Sequence, residues 1–364
     1  MNNKLHIILL FLVSNYISFS QGCESISIDN ISNPGPYTYQ TIIESNGMRN
    51  GPEYLGATLY YPIGVEGSFS SLILVPGFVS PQSAVSAWGP YLASHGIIVM
   101  TIGTNTSTDL PEDRANALLG AVQTLQEENN RETSPVYQQI DINKISVGGH
   151  SMGGGGAQIA ATMDESLKSV ISLNPWIQQS VVDYDYLNHS VPHLIISGQD
   201  DTLAIVDNHA NVHYEYTPNT TPKAIYEIEN GIHSTGRFPS TANNYVGKIV
   251  LSWLKYFADD NDCYFPLILE YPEQASIYQN NLETFSFNDN QYSLINFHPN
   301  PVVDFITLRS NFNKNEKYLI VNNLGQIVLD GEIKNNLEII NLSYLSPGIY
   351  MLKVKNNTFK IIKK

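Results

Sequence analysis

The chain has 364 residues, 42% of them hydrophobic and 15% charged, enough for one large core and a smaller second module. A net charge of −15 and an isoelectric point near 4.9 exclude a nucleic-acid partner, which needs a basic footprint. The same balance argues against electrostatic binding to anionic lipid or to an anionic substrate.

In chain order, residues 1–20 predict a signal peptide. Lys4 supplies the positive start, Leu5 to Val13 the apolar stretch, and Ser18-Phe19-Ser20 a small-residue cleavage site before Gln21. That apolar stretch is too short to span a bilayer and no other approaches it, so no membrane span is expected. The two cysteines, Cys23 and Cys263, bracket a candidate catalytic domain over 21–264. A disulfide joining its two ends is the expectation. A lipid on Cys23, poorly matched by Ser20-Gln21-Gly22, and two free thiols are the alternatives.

From about 52 to 257, short apolar runs alternate with helical patterns. Strands are predicted at Leu72–Val75, Ile97–Ile102, Ile145–Val147, Val170–Leu173, Leu194–Ser197 and Ala224–Ile228. Helices are predicted at Ala84–Ser94, Arg114–Glu127, Gly155–Met163 and Asn243–Phe257. Such alternation predicts an α/β fold, a mostly parallel doubly wound sheet covered by helices. Functional groups then gather at the carboxyl ends of the strands.

One such end carries Gly149-His150-Ser151-Met152-Gly153-Gly154-Gly155. Gly-x-Ser-x-Gly between strand and helix is a nucleophile-elbow pattern, with the glycines relieving crowding around a strained serine. A phosphate loop of the Walker type would need Lys after the glycines, and none follows. A serine nucleophile needs a base, and the base an orienting carboxylate, in the order Ser, Asp or Glu, His. Asp200 and Asp201 follow the strand Leu194–Ser197 directly; Asp183 and Asp185 lie in a more loop-like, Tyr-rich stretch. His233 follows the strand Ala224–Ile228 and the turn Asn230-Gly231 and is the expected base, with His189, His193, His209 and His213 as alternatives. His193 precedes its strand and reads as structural. An oxyanion hole is expected from the backbone N–H groups of Met152 and of Phe78, the latter in the loop after Leu72–Val75. Phe78 and Trp176 would form aromatic walls suited to a neutral, apolar or aromatic acyl group.

After Cys263 the composition changes. Residues 265–292, rich in Asn, Gln, Ser and acidic side chains, read as a linker. Residues 293–364 read as a small all-β sandwich, with strands at Ile306–Arg309, Tyr318–Asn322, Gln326–Leu329, Leu337–Asn341 and Gly348–Val354. Turn signals at Asn323-Leu324-Gly325 and Ser346-Pro347-Gly348 separate them.

Beyond these patterns, residues 52–258 resemble bacterial cutinases and polyethylene terephthalate hydrolases within the α/β-hydrolases. The matching runs are 56–62 (Gly-Ala-Thr-Leu-Tyr-Tyr-Pro), 75–78 (Val-Pro-Gly-Phe), 88–96, 104–109, 149–156, 174–176 (Asn-Pro-Trp), 200–204 (Asp-Asp-Thr-Leu-Ala) and 231–234 (Gly-Ile-His-Ser). The resemblance implies Ser151, Asp201 and His233 as triad, Phe78 and Met152 as oxyanion donors, and Phe78 with Trp176 as the clamp on substrate. It also selects Asp201 over Asp200. Many relatives have Tyr where Phe78 stands and cysteines near the acid and base loops; their absence here implies looser loops. Residues 293–364 resemble the sorting domain of type IX secretion in Bacteroidetes, carried by Phe297-His298-Pro299-Asn300-Pro301, Asn323-Leu324-Gly325, Leu345-Ser346-Pro347-Gly348-Ile349-Tyr350 and Lys363-Lys364.

The expectation is a secreted, monomeric serine ester hydrolase. It would cleave cutin, polyethylene terephthalate or related polyesters, need no cofactor and no metal, and meet the type IX machinery through its C-terminal domain. The alternatives are a general lipase or carboxylesterase for small soluble esters and short triglycerides, and a non-catalytic surface adhesion module.

Overall fold

The computed structural model describes Cys23, residues 26–177, 184–282, 295–310, 316–323, 325–334, 337–354 and 357–364. The expected signal peptide, Asp183 and Leu324 lie outside the described residues. The chain divides into two compact units, Met1–Leu282 and Glu283–Lys364.

In the first unit, chain order runs β1 (Thr38–Ile43), β2 (Ala57–Ile63), β3 (Phe69–Val75), α1 (Trp88–Ala93), β4 (Ile98–Ile102), α2 (Pro111–Asn130), β5 (Ile140–His150) and α3 (Met152–Met163). It continues with β6 (Val170–Leu173), β7 (His193–Gly198), α4 (Ala210–Tyr216), β8 (Lys223–Ile228), α5 (Tyr245–Phe257) and β9 (Ala275–Asn280). The strands form one nine-stranded sheet in the order β1-β2-β4-β3-β5-β6-β7-β8-β9. β3 to β8 are parallel, while β1, β2 and β9 pair antiparallel at the two edges. Alternate side chains of β3 enter different cores. Ile73 and Val75 pack with Ala117, Leu118, Ala121 and Leu125 of α2 and Ala157 and Ala160 of α3. Leu72 and Leu74 pack with Trp88 and Leu92 of α1 and Ile249, Val250 and Trp253 of α5. Both faces are therefore covered, which is why the central strands are almost uniformly apolar.

The strand order reverses at β3, whose neighbours are β4 on one side and β5 on the other. In open α/β sheets such a switch point leaves a crevice outside the carboxyl ends of the strands. The loop after β3 and the turn after β5 meet there.

Several elements differ from expectation. The helix expected at Ala84–Ser94 is a 3-10 turn, Gln82–Val85, followed by α1, with Gly89 and Pro90 weakening a continuous helix. α5 starts at Tyr245 because Asn244 is left-handed, at φ 71°. α3 starts at Met152, ahead of Gly155. Packing overrides the poor helix propensity of its glycines, which lie against Val75, Pro175, Trp176 and Arg114 where side chains would not fit. The expected linker needs correction: 275–280 is β9, paired with β8, and Leu267, Ile268 and Leu282 are buried in the core. The polar composition of 275–280 is that of a half-buried edge strand, and 283–292 lie outside the described residues.

The second unit contains β10 (Ile295–His298), β11 (Phe305–Ser310), β12 (Glu316–Val321), β13 (Ile327–Ile333), β14 (Leu337–Asn341), β15 (Gly348–Val354) and β16 (Asn357–Lys363). They form a three-stranded sheet, β10-β11-β14, and a four-stranded sheet, β13-β12-β15-β16, both antiparallel. Ile306, Leu308 and Ile340 of one sheet close on Ile320, Leu352 and Ile361 of the other, as a small sandwich requires. At Gly331 in β13, the ring of Tyr318 takes the space a side chain would need.

Cys23 and Cys263 are joined by a disulfide. Among the described residues, no helix is long and apolar enough to cross a membrane.

Candidate active site

β5 ends at His150 and α3 begins at Met152, which leaves Ser151 alone on the turn with φ 56° and ψ −121°. No ordinary L-residue rests comfortably there, and the surrounding contacts hold it in place. Its N–H donates to Leu173 O at 2.9 Å, and its carbonyl accepts from Gly154 and Trp176 N–H, each at 2.9 Å. A Cβ on Gly149 would fall 2.4 Å from the Gly153 backbone, and one on Gly153 would fall 2.4 Å from Val75 O. Only glycine allows strand, turn and helix to approach so closely.

The loop after β3 presses on the same turn: a Cβ at Gly77 would stand 2.7 Å from Ser151 Cβ. Phe78 follows, half of it exposed. Val79 has φ 48°, an outlier for a β-branched residue, and its N–H donates to Ser107 O at 2.7 Å. Buried Arg114 braces this loop by donating to Pro76 O at 2.8 Å and to Asp109 O at 3.1 Å. Met152 N–H opens α3, and among the described residues neither it nor Phe78 N–H is engaged by another group. Two free donors beside a strained serine can receive a developing oxyanion.

Asp201 follows β7 and is buried. Its Oδ1 accepts from the N–H groups of Leu203 at 2.9 Å and Ala204 at 2.8 Å. Its Oδ2 accepts from His233 Nδ1 at 2.8 Å and Asn174 Nδ2 at 3.1 Å. Burial works against the charge, but the hydrogen bonds from His233, Ala204 and Leu203 outweigh it and hold this carboxyl below its ordinary value. With Nδ1–H committed to the carboxylate, Nε2 of His233 is the nitrogen free to take a proton.

The Ser151 turn and the His233 loop are tied through the residue before Ser151. His150 Nε2–H donates to His233 O at 2.7 Å, and the two rings lie 4.8 Å apart. Burial pushes His150 down to about 4, so it stays neutral beside His233. Trp176, half-buried, stacks on His209 at 5.6 Å, and His209 Nδ1 accepts from Ile177 N–H at 3.1 Å.

The remaining candidates stand elsewhere. Asp200 is exposed, its N–H bonded to Gly231 O, and Asp185 is exposed on a 3-10 turn. His189, His193 and His213 are buried behind α3, where His189 meets Gln158, His193 meets Ser172 Oγ at 2.8 Å, and His213 Nδ1 accepts from Gln158 Nε2 at 3.0 Å. Burial keeps all three neutral. Among the described residues, no group of three His, Cys, Asp or Glu could hold a metal ion. Sequence reasoning gave neither Asn174 nor Arg114 a part in the site. An Asn at a strand end, tolerant of left-handed backbone, was the available signal for the first.

Two family models match the chain. One described as PET hydrolase-like covers residues 24–285, and one described as a secretion system C-terminal sorting domain covers 296–364. The chain is 36% identical to a bis(hydroxyethyl) terephthalate hydrolase of Streptomyces coelicolor over 242 residues, 66% of this chain and 74% of that protein. It is 33% identical to cutinase est1 of Thermobifida alba over 231 residues, 63% of this chain and 73% of that protein. It is 34% identical to cutinase 2 of Thermobifida cellulosilytica over 242 residues, 66% of this chain and 87% of that protein.

Proposed function

The chain belongs to the PET hydrolase-like family, and from that premise we propose that it is an exported serine hydrolase that cleaves polyesters through an acyl-enzyme. The observation that carries this reading is the 2.8 Å bond from His233 Nδ1 to buried Asp201, with the His233 carbonyl bonded to the residue before the strained Ser151. Ser151 Oγ attacks the ester carbonyl while His233 Nε2 takes its proton. Asp201 keeps the imidazole in the right tautomer and stabilises it once charged. The tetrahedral oxyanion rests on the N–H groups of Phe78 and Met152. His233 then gives the proton to the departing alcohol, and water, activated by the same base, releases the acid. No step calls for a cofactor.

Phe78 and Trp176 offer aromatic faces for a flat acyl group, and the relatives' names, cutinase and bis(hydroxyethyl) terephthalate hydrolase, supply the substrate class. The unit acts as a monomer. The sorting domain makes this an extracellular or cell-surface protein, handled by type IX secretion, with residues 1–20 as the signal peptide.

The test is product release from an amorphous aromatic polyester film, with a short-chain nitrophenyl ester alongside and Ser151→Ala as the blank. Activity on both substrates supports the reading. Activity on the soluble ester alone keeps the mechanism and makes the protein a general esterase.

A further inference from the structure

We propose that Asn174 is a positioning residue that sets both the place and the basicity of the acid–base pair; this rests on the Ser151–His233–Asp201 reading above. Asn174 is the first residue after β6, almost fully buried, with φ 45°. Its N–H is anchored to Ile196 O at 2.7 Å. Its side-chain amide then reaches three places. Nδ2 donates to Asp201 Oδ2 at 3.1 Å and to Ile232 O at 3.3 Å, and Oδ1 accepts from Gly236 N–H at 2.8 Å.

Ile232 and Gly236 flank His233, so one rigid amide grips the base loop on both sides while touching the carboxylate that the base must face. A side chain of this kind needs donor and acceptor on one planar group; a hydroxyl could not span the three partners. The contact with Asp201 is also chemical. Asn174 and His233 donate to the same oxygen. The amide satisfies part of the carboxylate's charge, which reduces what that carboxylate can offer to an imidazolium. Removing the amide leaves His233 as the sole side-chain donor to Oδ2 and favours the protonated ring. The acid limb of the pH–rate profile must then move to higher pH.

Two variants of the full chain separate this from a structural role. Asn174→Gly keeps the left-handed backbone and removes the amide. Asn174→Asp keeps the acceptor for Gly236 N–H but places a second carboxylate against Asp201. On a soluble nitrophenyl ester, kcat of Asn174→Gly falls about ten-fold, the kinetic equivalent of one hydrogen bond to a charged group, with KM nearly unchanged. Its acid limb in kcat/KM moves up, and that of Asn174→Asp moves further. A residue that only supports the fold would lower the melting temperature of both and leave the limb where it was, and that result overturns the proposal. So does parental kcat in whichever variant is recovered folded. Asp201→Asn, assayed in parallel, isolates the underlying reading. If it keeps full activity the triad assignment fails; if it loses activity while the Asn174 variants do not, only the role of Asn174 falls.

Discussion

The two units of this chain are built on opposite terms. The first carries strained and buried polar residues at the carboxyl ends of its central strands: Val79, Ser151 and Asn174 all have positive φ, and Arg114, His150, Asn174 and Asp201 are buried. The second, among its described residues, has no non-glycine residue at positive φ, and Lys363 is its only buried charged or polar residue. Backbone strain and buried polarity each oppose folding, and a structure keeps them where surrounding contacts overdetermine the geometry. The first unit has that surplus in its two large cores and uses it at the switch point. The sandwich is too small to carry such strain and offers an outer surface instead.

The sharpest way to break this contrast is at Ser151. Ser151→Ala should abolish turnover, a loss of up to about 10⁶-fold in kcat, while near-UV circular dichroism stays unchanged. Full residual activity would move the chemistry away from the strained turn altogether. Asp201→Asn comes next, with an expected loss of about 10⁴-fold in kcat, because an amide at that position favours the wrong imidazole tautomer.

Acid should then distinguish the units by stability. Burial holds His150 and His189 at about 4 and His213 at about 3, all below the ordinary 6.5. As pH falls below 6.5 the unfolded chain takes up protons that the folded unit does not, so stability drops until the folded values are reached. A tenfold change in proton affinity between the folded and unfolded chain is worth about 1.4 kcal/mol, and the first unit should lose several kcal/mol between about pH 6.5 and 4. Trp88, Trp176 and Trp253, the chain's three tryptophans, all lie in that unit, so their fluorescence reads its melting alone. A melting temperature independent of pH over that range would refute the account.

A smaller loss is expected from replacing Cys23 and Cys263 together by serine, about 2–4 kcal/mol in the same fluorescence assay, with kcat unaffected. The smallest effect belongs to ending the chain after Leu282. Turnover on a soluble ester should stay within about two-fold of the parent if the first unit alone does the chemistry.

What was legible in the sequence follows the same division of labour. The central strands announced themselves as apolar runs because both their faces are covered. The elbow was readable because close backbone approach leaves no substitute for Gly149 and Gly153. β1 and β9 were not, since Thr38–Ile43 is mostly exposed and Ala275–Asn280 only half-buried, so neither carries the apolar run that marks a strand. α4, Ala210–Tyr216, is held by its neighbours and is too short to impose a periodicity of its own. Among the site residues, chain order pointed to His233, and the family resemblance chose Asp201 over Asp200. Asn174 and His150 escaped because their roles depend on which loops meet at the switch point, and single-chain spacing does not encode that meeting.

The disulfide between Cys23 and Cys263 closes 240 residues of sequence separation into a ring. A ring can be cut once without coming apart. Wherever a protease nicks an exposed turn between the two cysteines, the pieces remain tethered and face each other at the high effective concentration of an intramolecular pair. Damage that would shed a fragment from an open chain leaves here a scar visible only after reduction.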